Sequence, residues 1–428
     1  MNYPKVLVVA NNSFSETSNM GRTLGSFFKG WPLDRIAQFC ISTTEPDYSV
    51  CQNYYMITDR EMLRAFLHFR KASRVSIENN KGTEGNNIIG GKKIANRTAS
   101  KSILRNIIWG NKRFASKDFK RWIVEFAPDV VLILNSNSSF IFKIGLYIAE
   151  KTNARLAMFN TEGYFFFKQD YMIEENFLDR LCFPVFQYFY KKTYKNFMKH
   201  VELAIYLNQM LASDYLNEFP HAAKVLYTCS NMDFDESDVN VTAPVFSYLG
   251  NLGLDRPLAL VEISEVLQTI NSSYKLDVYG KCTNEKDTQL LNSAPGINYK
   301  GFVSYLDVKL VMNKSTILFH AETQDKQYQE CLKYGFSTKI ADSISSGHPF
   351  IMYVSPNIAG AEYIIKTGAG WFADNKAHLK QAIIEILNDK NKREQVKAIA
   401  RSVKDTNHNR LNSHIQMKTW LFNLCNSH

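Results

Sequence analysis

Ser337, Thr338 and Lys339 follow a glycine and a phenylalanine, and Asp342 comes three residues after the lysine. Ser337 or Thr338 can cap a helix by accepting from backbone N–H groups two or three residues on. Ile340, Ala341 and Ile344 give that helix an apolar side, Gly347 is placed to end it, and Pro349 follows. A helix start offers free N–H groups and a partial positive charge, which favour a phosphate. Lys339 in the first turn opposes the helix dipole and is best tolerated beside an anion. Asp342, one turn on, can accept hydrogen bonds from the two hydroxyls of a ribose diol. One helix end could therefore hold a diphosphate and a sugar. A capped helix with a surface Lys–Asp pair at i, i+3 has the same spacing.

Two other places offer glycine with a cation. Val245–Leu249 is followed by Gly250, Asn251, Gly253 and Arg256. Glycines after a strand let backbone approach phosphate closely, and an arginine can clamp it. Val278-Tyr279 leads to Gly280-Lys281 in the same way. Near the start, Val6–Ala10 leads to Asn11-Asn12-Ser13, and then Asn19-Met20-Gly21 precedes a helix around Leu24–Phe28.

Several chemistries are unsupported. Gly85–Lys93 resembles a P-loop but carries Asn86 at the first glycine position and Lys93 at the Ser/Thr position. Asp233-Phe234-Asp235 has the form of a metal-dependent sugar-nucleotide site, yet it falls in a polar acidic stretch that reads as solvated loop. The histidines show no ligand spacing, so no metal or other cofactor is expected. His320 follows a strand and suits either a core or a binding position. There is no GxSxG elbow.

The elements that must position these residues alternate. Short apolar runs at Val6–Ala10, Ile36–Ile41, Val130–Leu134, Leu156–Phe159, Leu203–Leu207 and Lys224–Tyr227 are separated by stretches long enough for helices. The pattern restarts with Val245–Leu249, a helix over Leu258–Ile270, and runs at Lys275–Tyr279, Ile297–Tyr299, Thr316–Phe319 and Phe350–Val354. A further helix is expected over His378–Leu387, and an amphipathic one over Leu411–Phe422. The expected fold is α/β: two doubly wound parallel-sheet domains, residues 1–238 and 244–405, facing a cleft, with Asn231–Asp238 as the linker.

The chain has 428 residues and a net charge of +10. Between Arg70 and Arg121 stand fourteen Lys/Arg and three acids, so this segment holds the excess. Trp109, Phe114 and Trp122 interleave with the charges. Such a segment, read as an insertion, suits an anionic membrane surface; a solvated loop and a nucleic-acid contact are the alternatives. The opening residues lack the long apolar core of a signal peptide, and no run approaches the roughly 20 apolar residues of a span. The seven dispersed cysteines suggest reduced thiols. A cytoplasmic protein, peripheral on the inner face of the plasma membrane, is expected.

Gly335 to Asp342 with Ser346-Gly347-His348-Pro349 resembles the S-x-K-x-x-E-x-x-x-x-G-x-P signature of family 4-like glycosyltransferases of the GT-B fold, which act in bacterial polysaccharide synthesis. Val6–Asn12 through Gly21–Gly25 is similar to the start of such enzymes. The resemblance implies an acceptor domain first and a nucleotide-sugar donor domain second. It implies transfer of a hexose from a nucleoside diphosphate such as UDP to a glycan or lipid-linked acceptor, with retention at the anomeric carbon and without metal.

It also implies site residues. Asp342 would hold the ribose. Ser337, Thr338 and Lys339 would face the diphosphate or the transferred sugar. Gly250, Asn251, Arg256 and Lys281 would complete the donor site, and Gly21 would approach the diphosphate from the first domain. Glu162, in Asn160-Thr161-Glu162-Gly163 after a strand, matches an acidic position on the acceptor side. The last helix, within 411–428, would cross back to the first domain. Arg256 and Lys339 would stabilise the leaving diphosphate, and Glu162 would be the base of an inverting reaction.

Two positions depart from the pattern. Asp342 is shorter than the family's glutamate, and Tyr334 stands where a second glutamate touches the transferred sugar, with Glu330 out of register. A non-catalytic GT-B subunit that binds a partner glycosyltransferase, or a nucleotide-sugar epimerase, are the alternatives.

Overall fold

The structure is a computed structural model and describes residues 2–15, 19–41, 45–75, 98–169 and 177–426. The P-loop-like stretch Gly85–Lys93 and residues 76–97 of the basic segment lie outside them. The chain forms two compact units, Met1–Leu226 with Ser413–His428, and Tyr227–Asn412.

The first unit is built on a parallel sheet with strand order β3-β2-β1-β4-β5-β6-β7 among the described residues. The strands are β1 Val6–Val9, β2 Ile36–Cys40, β3 Asn53–Met56, β4 Val130–Leu134, β5 Arg155–Asn160, β6 Leu203–Tyr206 and β7 Ala223–Val225. β1 and β4 pair in register, Val6 opposite Val130 and Val9 opposite Ile133. Every residue of both strands is buried, as expected of central strands covered by helices on both faces.

The second unit repeats the design with β8 Phe246–Leu249, β9 Leu276–Tyr279, β10 Ile297–Gly301, β11 Ile317–Ala321, β12 Phe350–Tyr353 and β13 Trp371–Ala373, in the order β10-β9-β8-β11-β12-β13. Its core joins Tyr248, Val278, Phe319 and Ile351 of the sheet to Leu260, Ile263 and Leu267 of the Arg256–Ile270 helix. In each unit the order reverses beside the first strand, and in doubly wound sheets the crevice at that reversal is where ligands bind. In the second unit the reversal falls between β8 and β11.

Three expectations change. Asn231–Asp238 is not a free linker: it belongs to the second unit, where Asp238 pairs with Arg393 at 3.0 Å and the Asp235 N–H donates to the Ser346 carbonyl. Trp109, Phe114 and Trp122 are core residues, unavailable to lipid or nucleic acid; Trp109 stacks on Phe140 with centroids 4.8 Å apart. Gly21 lies inside the helix Asn19–Phe28, not before it.

The final helix, Arg410–Asn426, buries Met417 and Leu421, and His414 on it contacts the first unit: its Nδ1 lies 3.0 Å from the Phe27 carbonyl and its Nε2 3.1 Å from the Tyr3 hydroxyl. All seven cysteines are free thiols. Among the described residues no helix is long and apolar enough to cross a membrane.

Candidate active site

The loop after β8 turns sharply. Leu254 and Asp255 both adopt left-handed backbone, with φ of 58° and 53°, a costly conformation for side-chain-bearing residues that tends to be kept at functional sites. Tyr248 donates its hydroxyl to the Asn251 carbonyl at 2.8 Å, and Asn251 Oδ1 accepts the Gly253 N–H at 2.6 Å, so the loop is held from within. The helix Arg256–Ile270 then begins with Pro257 in its first turn and without a side-chain cap. An uncapped start suits an anion.

Arg256 reaches across the strand reversal. Its Nε donates to Glu322 Oε2 at 2.6 Å, and its Nη1 donates to the Gly253 carbonyl at 3.0 Å. Glu322 follows β11 directly, and His320 Nε2 lies 3.4 Å from its other oxygen. Burial pushes the Glu322 carboxyl up, but the contact with His320 and the charge of Arg256 outweigh it and hold the group at about 2. Burial lowers the His320 pKa, partly offset by Glu322, so the ring is neutral at pH 7.

Lys339 comes from the other side. Ser337 caps the helix Thr338–Ser346 by accepting the Lys339 N–H at 3.3 Å, and Gly347 ends it with φ of 80°. The Lys339 ammonium lies 3.5 Å from the Tyr248 hydroxyl and 5.1 Å from its ring centroid. Its side chain runs over Gly250 so closely that a Cβ there would stand 2.0 Å from Nζ. By surface area the side chain is only half-buried, yet its ammonium sits deep among these groups. Desolvation, with Arg256 adding to it and Glu322 opposing it, lowers its pKa to about 8.

The structure thus brings Gly250, Asn251, Arg256 and Lys339 together at the sheet reversal, with Ser337 and Thr338 at the adjacent helix start. Gly280 fits against them: a Cβ there would stand 2.0 Å from the Gly250 carbonyl oxygen. Lys281, next in sequence, is exposed. Asp342 accepts from the Ser230 hydroxyl at 2.7 Å, which orients its carboxylate. In the Asp-x-Asp stretch Asp233 is exposed with the Lys309 ammonium 3.4 Å away, and Asp235 accepts from the N–H and hydroxyl of Ser237. Glu330 lies on the helix Lys326–Leu332, and Tyr334 is buried with the Lys333 ammonium 3.1 Å from its hydroxyl.

Gly21 and Glu162 belong to the first unit. Glu162 stands two residues past β5 and is half-buried, and desolvation raises its carboxyl to about 7. Glu322 escaped sequence reasoning. The available signal was an acid shortly after the run expected over Thr316–Phe319; the strand continues through Ala321, so His320 lies within it and Glu322 is the first residue beyond it.

Two Rossmann-like domains in one chain, each a parallel sheet reversing beside its first strand, are the GT-B fold. Solved structures share it at full length. Anabaena HepE in complex with UDP superposes with a TM-score of 0.65 at 12% identity, covering 98% of this chain and 100% of its own. A sucrose-phosphate synthase from Thermosynechococcus elongatus gives 0.62 at 10%, covering 98% and 99%. A glycosyltransferase from Rickettsia africae gives 0.59 at 13%, covering 100% of both chains. No family model and no curated protein matches the sequence.

Proposed function

We propose that the chain transfers a hexose from a nucleoside-diphosphate sugar, UDP first among the candidates, to a hydroxyl of a glycan or lipid-linked acceptor in surface polysaccharide or glycoconjugate synthesis. The observation that carries this is the pair of cations, Arg256 and Lys339, beside an uncapped helix start at the reversal of the second sheet. The binding of UDP and UDP-glucose by HepE supports the choice of base.

Departure of the diphosphate is the difficult step. Arg256, Lys339 and the N–H groups of the two helix starts would stabilise its growing charge, each contributing a few kcal/mol. Glu322 keeps Arg256 oriented, and Asp342 would take the ribose diol. Retention and independence from metal complete the reading: EDTA leaves turnover unchanged. The protein would work at the inner face of the membrane, with the exposed lysines and arginines of the described parts of 70–121 on anionic lipid.

The test is thermal stabilisation by a panel of nucleoside diphosphates and nucleotide sugars. A ligand at a hundred times its Kd stabilises by about 2.7 kcal/mol. The native chain responds to one base, and Asp342→Ala and Lys339→Met lose the response. No response to any nucleotide would sink the reading.

A second reading is favoured by one observation. Tyr334, buried under Lys333, leaves no carboxylate at the position where the resemblance expects contact with the transferred sugar. On that reading the chain is a non-catalytic subunit of a partner glycosyltransferase. Nucleotide binding without turnover on any donor, together with stable partner association, would mark it.

A further inference from the structure

The helix Phe177–Met198 has two unlike faces. Asp179, Phe183, Phe186, Tyr190, Tyr194 and Phe197 recur every three or four residues and are buried in the first unit. The opposite face should be polar. Instead it carries Phe177, Leu178, Leu181, Val185, Tyr188 and Phe189, between 48% and 79% exposed. Further along the same face Lys192, Lys195 and Asn196 are exposed, and exposed Lys199 follows directly after the helix end. The helix Ala99–Trp109 packs alongside, tied by the Ser100 hydroxyl donating to Asp179 at 3.2 Å, and it adds exposed Leu104 and Ile107 beside exposed Lys101.

Scattered surface leucines need no explanation, but eight large exposed apolar side chains on two helices packed side by side call for one. We propose that this face lies in the plane of an anionic membrane, with Phe177–Phe189 sunk to the acyl boundary and Lys192, Lys195 and Lys199 among the headgroups. Three features select lipid over a protein partner. The apolar and basic residues follow one another along a single helix face, the arrangement of interfacial helices. Charge on the face is of one sign, since Asp179, the acid on this helix, is turned inward. Tyr188 and the lysine stems are amphipathic, with apolar bodies and polar tips suited to the headgroup level. The six apolar positions span about 18 Å of helix.

The inference deepens the membrane part of the proposed function and rests on that part alone. It adds insertion to the attraction of the basic segment, and insertion persists in salt.

The test is sedimentation of the full chain with phosphatidylcholine vesicles containing phosphatidylglycerol, at low and high sodium chloride. The native chain binds and keeps most of its binding in high salt. The double variant Leu181→Glu/Phe189→Glu binds about tenfold less or weaker still, while its melting temperature and nucleotide response stay native. As a second readout, a Phe189→Trp chain gains fluorescence that brominated lipid quenches. Unchanged binding by the double variant, complete release by salt, or an introduced tryptophan that lipid does not quench each overturns the proposal. So does a native chain that ignores vesicles and forms a dimer that the double variant disperses, which would assign the face to a second copy. Nucleotide response measured on the same samples separates the two readings, because its loss would sink donor binding and leave insertion standing.

Discussion

Glu322 shows what a single carboxylate does here. It is buried and faces Arg256, His320 and, at longer range, Lys339. Removing one partner of a buried pair leaves the other charge uncompensated, so Glu322→Ala costs about 3–5 kcal/mol, measurable by urea unfolding. Its folded pKa, about 2, lies below the ordinary 4.5. Its stabilising effect is therefore complete above about 4.5 and is lost as pH falls toward 2, and the variant loses that acid limb. Lys339 titrates the other way. At pH 7 it is mostly charged, and above about 8 it becomes neutral, so on the proposed function affinity for the donor nucleotide falls as pH rises through 8 and Lys339→Arg removes the fall. Glu162→Gln separates the two stereochemical courses: under retention kcat drops less than about tenfold, whereas an essential base would cost about 10²–10⁴. The lysine was legible in the sequence because it sits in a short local pattern. Glu322 was not, because its partner Arg256 lies 66 residues away, and only folding of the sheet brings them together.

At the scale of elements, what could be read were the buried strands. β1, β4, β8 and β12 are runs of β-branched and aromatic residues between turn signals, and their limits came within a residue or two. β3, Asn53-Tyr54-Tyr55-Met56, and the three-residue β13 were missed. The first lacks β-branched residues, and the second, at a sheet edge, is too short to show a period. The helix from Ser337 to Gly347 was legible for the opposite reason: its cap and its stop are written in residue types. Two glycines next to this helix behave differently. Gly250→Ala pushes only against the flexible end of Lys339, so the melting temperature stays within a degree or two while nucleotide stabilisation is lost. Gly280→Ala meets backbone, the Gly250 carbonyl, and unfolds the loop or the unit; circular dichroism and melting distinguish the two outcomes.

At the scale of the molecule, the chain leaves the first unit at Leu226 and rejoins it at Ser413. The return was implied by the family resemblance, whereas the amphipathic pattern of the last helix named no destination. Its packing gives the return a measurable value. Met417 and Leu421 are fully buried, and a buried side chain of this size contributes about 1.5–3 kcal/mol. Deleting Ser413–His428 therefore destabilises the first unit by several kcal/mol and leaves the nucleotide binding proposed for the second in place. Hydrogen exchange over residues 1–226 and nucleotide-induced melting shifts read the two effects separately.

The close pass of Lys339 over Gly250 also bears on how such a chain can be inherited. Any side chain gained at position 250 evicts the ammonium, so a descendant that acquires one has already surrendered the cation. The two positions can drift only as a pair.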